Sequence, residues 1–175
     1  KKIILPTLDY LKKNNGTYIG FLYAGLMIKD NEPFLIEYNV RMGDPECQTI
    51  LPLLENDFLD LIENCIKGNL QNIKLNLKRK KSICIVLTSK GYPEKFDKNL
   101  LIQNIQNLNI GDNQFLFHAG TKFSGENFYS NGGRVLNFVT IDENFKLARE
   151  RTLDLIRKLN WKKGHYRADI GFKVI

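Results

Sequence analysis

A chain of 175 residues with 43% apolar and 11% aromatic side chains has the material for a packed core, in one domain or two small ones, and reads as globular. Lysine and arginine total 26 against 19 aspartate and glutamate, and the resulting +7 admits nucleic acid, a membrane surface or an anionic small substrate without choosing among them. Cys47, Cys65 and Cys84 have no Cys-x-x-Cys spacing and argue against a disulfide framework or a zinc site, and no apolar run approaches the roughly 18 to 20 residues of a membrane span.

In chain order, Ile3 to Lys13 reads as a short helix with Pro6 in its first turn and Asn14-Asn15-Gly16 as its stop. Tyr18 to Ile28 and Pro33 to Arg41 read as strands joined by Lys29-Asp30-Asn31-Glu32, a connection of hairpin length. Side chains alternate faces along a strand, with alternate positions roughly 6.5 to 7 Å apart. Phe34, Ile36, Tyr38 and Val40 are therefore expected to be buried, while Glu37, Asn39 and Arg41 converge on one ligand. A carboxylate and an amide oxygen are hard ligands suited to Mg²⁺, which takes its other oxygens from water and substrate phosphates, and a guanidinium grips carboxylate or phosphate. The three suggest metal-assisted phosphoryl chemistry; the same alternation also fits a half-exposed strand with solvated polar residues.

The chain then turns at Gly43-Asp44-Pro45. Glu46 to Leu54 begins helically until Pro52 interrupts it, and Asp57 caps a helix through Ile66 that stops at Gly68. Phe58, Leu61, Ile62 and Cys65 recur on that helix at core spacing. Asp44 and Glu46 are candidates to recognise an ammonium or amine, and each equally suits a cap for a helix starting at Pro45. A division of the chain is expected near residues 72 to 82, with Lys78-Arg79-Lys80-Lys81 as a solvated linker rather than a phosphate-contacting patch.

Beyond it, Ser82 to Thr88, Gln114 to Ala119 and Arg134 to Ile141 read as strands, Gly91-Tyr92-Pro93 as a turn, and Asp142 as the cap of a helix through about Leu159. Strands followed by one long helix give the class α+β. Gly120-Thr121-Lys122 and Gly132-Gly133-Arg134 fit either anion-binding turns, with Lys122 and Arg134 as the cations, or ordinary hairpin turns. His118 suits a hydrogen-bonded strand position better than a general base. No strand interleaves aromatic and basic residues, so a nucleic-acid partner is not expected.

The stretch "YIGFLYAGLMIKDNEPFLIEYNVRMGDPECQTILPLLENDFLDLIENCIKGNL" from Tyr18 to Leu70 resembles the end of the ATP-grasp region of the glycinamide ribonucleotide synthetase family. Later segments agree in order: "SKGYPEKF" at 89 to 96, "FHAGTKF" at 117 to 123, "NGGRVLNFV" at 131 to 139 and "YRADIGFK" at 166 to 173. The resemblance implies the C-terminal half of an ATP-grasp domain over residues 1–75, followed over 76–175 by a small antiparallel-sheet domain with helices that completes the rear wall of the active site. It implies an ATP-dependent ligase that joins glycine to 5-phosphoribosylamine through a glycyl phosphate, in purine biosynthesis in the cytoplasm.

On the same basis Glu37 and Asn39 match the family's Mg²⁺ or Mn²⁺ ligands, and Arg41 is the catalytic candidate that orients phosphate or the developing acyl phosphate. Asp44, Glu46, Lys122 and Arg134 are the substrate-binding candidates, with ATP as co-substrate. Nothing here resembles the family's N-terminal domain or the lid over its nucleotide, so the chain is expected to be part of a longer protein and inactive by itself. Many ATP-grasp enzymes carry another acidic ligand on the preceding strand, where Tyr23-Ala24-Gly25-Leu26 has none. Another ATP-grasp carboxylate–amine ligase and a non-catalytic α+β binding domain are the alternatives.

Overall fold

In the computed structural model, which describes residues 1–14 and 16–175, the chain divides into two units. The first comprises Lys1–Cys47 and Leu54–Leu77, and the second Gln48–Leu53 and Lys78–Ile175. Helices and antiparallel sheets together make the class α+β.

The first unit opens with α1 (Ile4–Lys13), where Pro6 sits in the first turn and loses no intrahelical hydrogen bond. Asn14 is its C-cap, and Asn15, the middle of the expected stop, lies outside the described residues. Strand β1 (Tyr23–Lys29) begins later than expected. Residues 18–22 run irregularly because Gly20 takes φ 137° and the Tyr18 hydroxyl bonds the Phe21 carbonyl. Strand β2 (Glu32–Asn39) pairs with it across Asp30 and Asn31, both at positive φ (52° and 61°), the backbone that matches the twist of a tight hairpin.

A short α2 (Glu46–Ile50) passes into a 3₁₀ turn at Leu51–Leu53, where Pro52 cannot donate to a continuing helix. Helix α3 (Phe58–Ile66) is capped by Asp57, whose side chain accepts from the amides of Leu59 and Asp60 at 2.8 and 3.1 Å. The chain leaves α3 at Gly68 with φ 71°.

Two burial expectations fail in this unit. Phe34, Ile36 and Val40 are 55%, 64% and 73% exposed, and the α3 stripe of Phe58, Leu61, Ile62 and Cys65 lines an open apolar groove of about 450 Å³ with Phe21 and Ile73. Periodicity says which residues share a face; it does not say that a second layer covers that face. Here the sheet has two strands, and among the described residues α1 meets it through Tyr38, whose hydroxyl bonds Thr7.

The second unit is built on the order β4-β7-β3-β8, all neighbours antiparallel, from β3 (Lys81–Ser89), β4 (Gln114–His118), β7 (Arg134–Asp142) and β8 (Gly164–His165). A separate hairpin, β5 (Thr121–Ser124) with β6 (Asn127–Ser130), turns at Gly125 and Glu126, both at positive φ. Helix α4 (Phe145–Leu159) lies on the sheet. Its Ala148, Leu155, Ile156 and Leu159 join Ile83, Ile85, Leu87, Leu136 and Phe138 in the core. Burial of each large aliphatic or aromatic side chain contributes about 1.5 to 3 kcal/mol. Trp161 closes one end, its Nε1 donating to the Leu101 carbonyl at 2.9 Å.

The cap of α4 differs from the sequence reading. Asn144 Oδ1 accepts from the Leu147 amide at 2.9 Å, and Asp142 is the last residue of β7. The Asp142 carboxylate accepts from Arg151 Nη1 at 2.6 Å and from the Glu143 amide at 2.8 Å, and Arg151 Nη2 also donates to the Asp112 carbonyl. The Arg151 hydrogen bond first, then the Glu143 amide, holds the Asp142 carboxyl below its ordinary range. A depressed folded value makes this contribution complete above the unfolded value of about 3.9 and lost as pH falls through the folded one. Asp142→Asn is expected to remove about 1 kcal/mol or less at pH 7, because the pair is partly open to solvent, and to lower the melting midpoint by a few degrees. The gap between variant and parent should close as melts are taken below about pH 4; a gap unchanged at pH 2.5 would assign the loss to something other than charge.

Candidate active site

The hairpin register decides what faces what. Tyr23 pairs with Asn39, Ala24 with Tyr38 and Gly25 with Glu37, after which the register slips and Ile36 is left unpaired. Alternation then puts Tyr23, Gly25, Glu37 and Asn39 on one face, with Ala24 and Tyr38 on the other. Asn39 Nδ2 donates to Glu37 Oε1 at 3.0 Å, so the two sequence-predicted ligands do converge. A Cβ at Gly25 would stand 3.1 Å from Glu37 Cγ, and glycine there keeps the carboxylate clear of the opposite strand.

Arg41 does not continue that row. Strand β2 ends at Asn39, and the guanidinium turns to donate through Nη1 to the Met42 carbonyl at 2.9 Å. Its charge nevertheless reaches the face, since it acts on the Tyr23 hydroxyl.

Glu46, 23 positions beyond Tyr23 in the sequence, comes to the same face. Its Oε1 accepts from the Tyr23 hydroxyl at 3.3 Å. Its other oxygen lies over Gly43, where a Cβ would be 2.2 Å from Oε2. Burial first, then the charge of Glu46 and its hydrogen bond, then Glu37, push the Tyr23 phenol upward, so the hydroxyl keeps its proton and remains a donor. Asp44 lies near enough for its charge, after burial, to raise the Cys47 thiol, whose Sγ donates to Met42 Sδ at 3.6 Å.

Tyr23 is the residue that sequence reasoning passed over. The segment Tyr23-Ala24-Gly25-Leu26 reads as a strand lacking a carboxylate, and the hydrogen bond from Tyr23 to Glu46 becomes visible only in the fold. The available signal was the spacing of Tyr23 and Gly25, two residues apart and hence on one face.

Among the described residues no group of three or more His, Cys, Asp or Glu stands in metal-binding proximity. The donor set is a carboxylate and an amide oxygen, which fits a hard divalent ion that completes its shell with phosphate and water and does not fit a full protein cage.

In the second unit, Lys122 lies on β5 and Arg134 opens β7, both exposed. Their turns adjoin: the Gly120 amide donates to the Arg134 carbonyl at 2.9 Å, and the Asn131 amide to the Gly120 carbonyl at 2.7 Å. The Ser89 amide and hydroxyl hold the Gly133 and Gly132 carbonyls at 2.8 and 2.9 Å. His118 Nδ1 bonds Thr121 Oγ1 at 2.9 Å with its ring 4.7 Å from Phe128, and burial lowers its pKa.

Residues 82–173 match the family model described as phosphoribosylglycinamide synthetase, C domain, and residues 1–47 match its ATP-grasp (A) domain. A phosphoribosylamine–glycine ligase from Fusobacterium nucleatum is 39% identical over 173 residues, 98% of this chain and 40% of that protein. One from Caldanaerobacter subterraneus is 41% identical over 171 residues, again 98% and 40%. A bifunctional purine biosynthetic protein of Dictyostelium discoideum is 36% identical over 182 residues, 99% of this chain and 22% of its own length. The crystal structure of phosphoribosylamine–glycine ligase from Thermotoga maritima superposes with a TM-score of 0.79 at 31% identity, covering 93% of this chain and 40% of that one. The chain thus spans about 40% of the length of the single-activity relatives it matches. No helix among the described residues is long and apolar enough to cross a membrane.

The glycine turns carry a test of their own. A Cβ at Gly120 would meet the Arg134 carbonyl oxygen at 2.6 Å and Gly132 Cα at 2.8 Å, both backbone atoms that cannot swing aside. Gly120→Ala is therefore expected to destabilise the second unit by about 1 to 3 kcal/mol, measured by urea unfolding. A neutral result would mean that the two turns are not closely packed.

Proposed function

The chain belongs to the phosphoribosylglycinamide synthetase family, and from that premise we propose that it is the metal- and acceptor-binding part of a longer ATP-dependent ligase that joins glycine to 5-phosphoribosylamine. The observation that carries this reading is the contact between Glu37 and Asn39 on one accessible strand face, opposite a glycine that leaves room for them. In this reading residues 1–75 end the ATP-grasp domain, residues 76–175 form the C-terminal domain, and the reaction runs in the cytoplasm.

Transfer of the γ-phosphoryl group of ATP to the carboxylate of glycine brings two anions together, and the charge must be neutralised before they meet. Glu37 and Asn39 would hold Mg²⁺ or Mn²⁺, which would supply positive charge to offset that of the phosphates. Arg41 would orient the transferring phosphoryl group, releasing the Met42 carbonyl to do so. Asp44 and Glu46 would receive the amino group of glycine or of the nucleophile. Lys122 and Arg134 would hold the ribose 5-phosphate, the anion that suits two neighbouring cationic turns.

The metal assignment is tested in the full-length ligase that carries this segment. Glu37→Gln keeps the shape and removes the charge; kcat for glycine-dependent ADP formation should fall at least about 100-fold, because metal stabilisation of phosphoryl transfer is worth several kcal/mol. The fold should survive, as an exposed strand position usually changes stability by under about 1 kcal/mol. Raised Mg²⁺, or Mn²⁺ in its place, should recover part of the loss. Normal kcat with normal Mg²⁺ dependence would remove Glu37 from the metal.

The phosphate assignment makes a separate claim. Lys122→Ala or Arg134→Ala should raise KM for 5-phosphoribosylamine by about 10-fold or more, the equivalent of roughly 1.5 to 3 kcal/mol for a charge-assisted contact, with KM for ATP nearly unchanged. Parental KM in both variants would make these turns purely structural.

A further inference from the structure

Burial is divided unevenly between the two units. The buried core, from Ile83 to Trp161, belongs wholly to the second, whereas in the first Gly43 is the only buried residue among those described. Yet the first unit is not short of apolar side chains. Met27 and Ile28 are neighbours on β1 and so point to opposite faces of the hairpin, and both are exposed; Phe34 and Leu35 repeat this on β2. Helix α3 adds Phe58, Leu61, Ile62 and Cys65, which line the open groove of about 450 Å³.

A sheet of two strands is marginal in water until a third strand or a further layer joins it. An antiparallel sheet with one side in water keeps that side polar, so a hairpin apolar on both faces has the composition of a covered one. Exposed apolar surface of this extent marks a place where something binds.

We propose that the hairpin faces and the α3 groove are the surface on which the first unit receives a further segment of its own polypeptide, and that this segment completes its core. This rests on the ligase reading above and extends it. The lining of the groove holds no charged side chain, so the occupant presents apolar side chains there, and a buried charge would find no partner. Relatives that align with nearly all of this chain do so over only about 40% of their own length, so such ligases carry ample further sequence to supply the cover. Linkage decides between that segment and a second copy of the chain. A segment of the same polypeptide acts at an effective concentration of roughly millimolar, far above that of a separate molecule.

Cys65 reports on the groove directly, because it lines it and is only half-buried. Its alkylation by iodoacetamide, followed peptide by peptide by mass spectrometry, is to be compared between the 175-residue chain and the full-length ligase. The rate should be at least about 10-fold lower in the full-length protein, since a covered thiol reacts only through local opening. Equal rates in the two native proteins would overturn the proposal. So would protection in the 175-residue chain that rises with its concentration alongside a doubled mass in sedimentation, a result that gives the groove to a second copy. Leu61→Asp supplies an independent reading. It should lower the melting midpoint of the full-length ligase by at least about 5 °C or prevent its folding, while the 175-residue chain, whose core lies in the second unit, shifts by about 1 °C or less. An unchanged midpoint in the full-length protein would leave the groove uncovered and overturn the proposal too. Glycine-dependent ADP formation keeps the two readings apart: an active full-length enzyme with a reactive Cys65 loses only the groove assignment, and a protected Cys65 without that activity removes only the ligase reading.

Discussion

Gly25 faces Glu37 across the β1–β2 hairpin, and the rest of the first unit's chemistry depends on that one pairing. With Gly25 opposite, the Glu37 side chain stands clear and reaches Asn39; with any larger residue it would be pressed at 3.1 Å or less. The same register sets Tyr23 against Asn39, and Tyr23 in turn brings in Glu46 from beyond the turn. A slip of one residue would send Glu37 and Asn39 to the face now held by Tyr38 and α1, because side chains alternate with period two. The positive-φ pair Asp30-Asn31 fixes that register at the other end of the hairpin.

The second unit depends on close backbone approach rather than on alternation. Gly120 and Gly132 meet with no room for a Cβ, and Gly133 makes way for the Tyr92 ring, which a Cβ would strike at 2.1 Å. These glycines let the β5–β6 hairpin and the start of β7 share hydrogen bonds, and so bring Lys122 and Arg134 onto adjoining turns. Strand β7 is buried on both faces from Val135 to Ile141, which makes it the rigid element from which the Arg134 end projects.

Much of this was legible in the sequence, for definite reasons. The hairpin, the Asp57-capped helix, the strands at 81–89, 114–118 and 134–142 and the final helix all have strong periods or caps. The β5–β6 hairpin was not legible, because four-residue strands around Ser124-Gly125-Glu126-Asn127 carry too few alternations to stand out from a loop. Asp142 and Asn144 are both good caps by type, and only the ion pair with Arg151 withdraws Asp142 from that role. Arg41 was read as a strand residue because it continues the alternation of Glu37 and Asn39, yet the pairing partner runs out at Tyr23.

By itself the sequence determined the residue types and their spacing: a carboxylate and an amide two apart on a strand, a turn of Gly43-Asp44-Pro45, a core of helical period, and the order of motifs that places the chain in its family. Those are properties of neighbouring residues, and local backbone geometry suffices to read them. Tertiary structure alone decided that Tyr23 reaches Glu46, 23 positions away, that Gly120 abuts Arg134, and that the α3 stripe lines an open groove instead of a core. Contacts between distant segments follow from register and from which layers are present to cover an apolar face, and neither is encoded in the period of any single element.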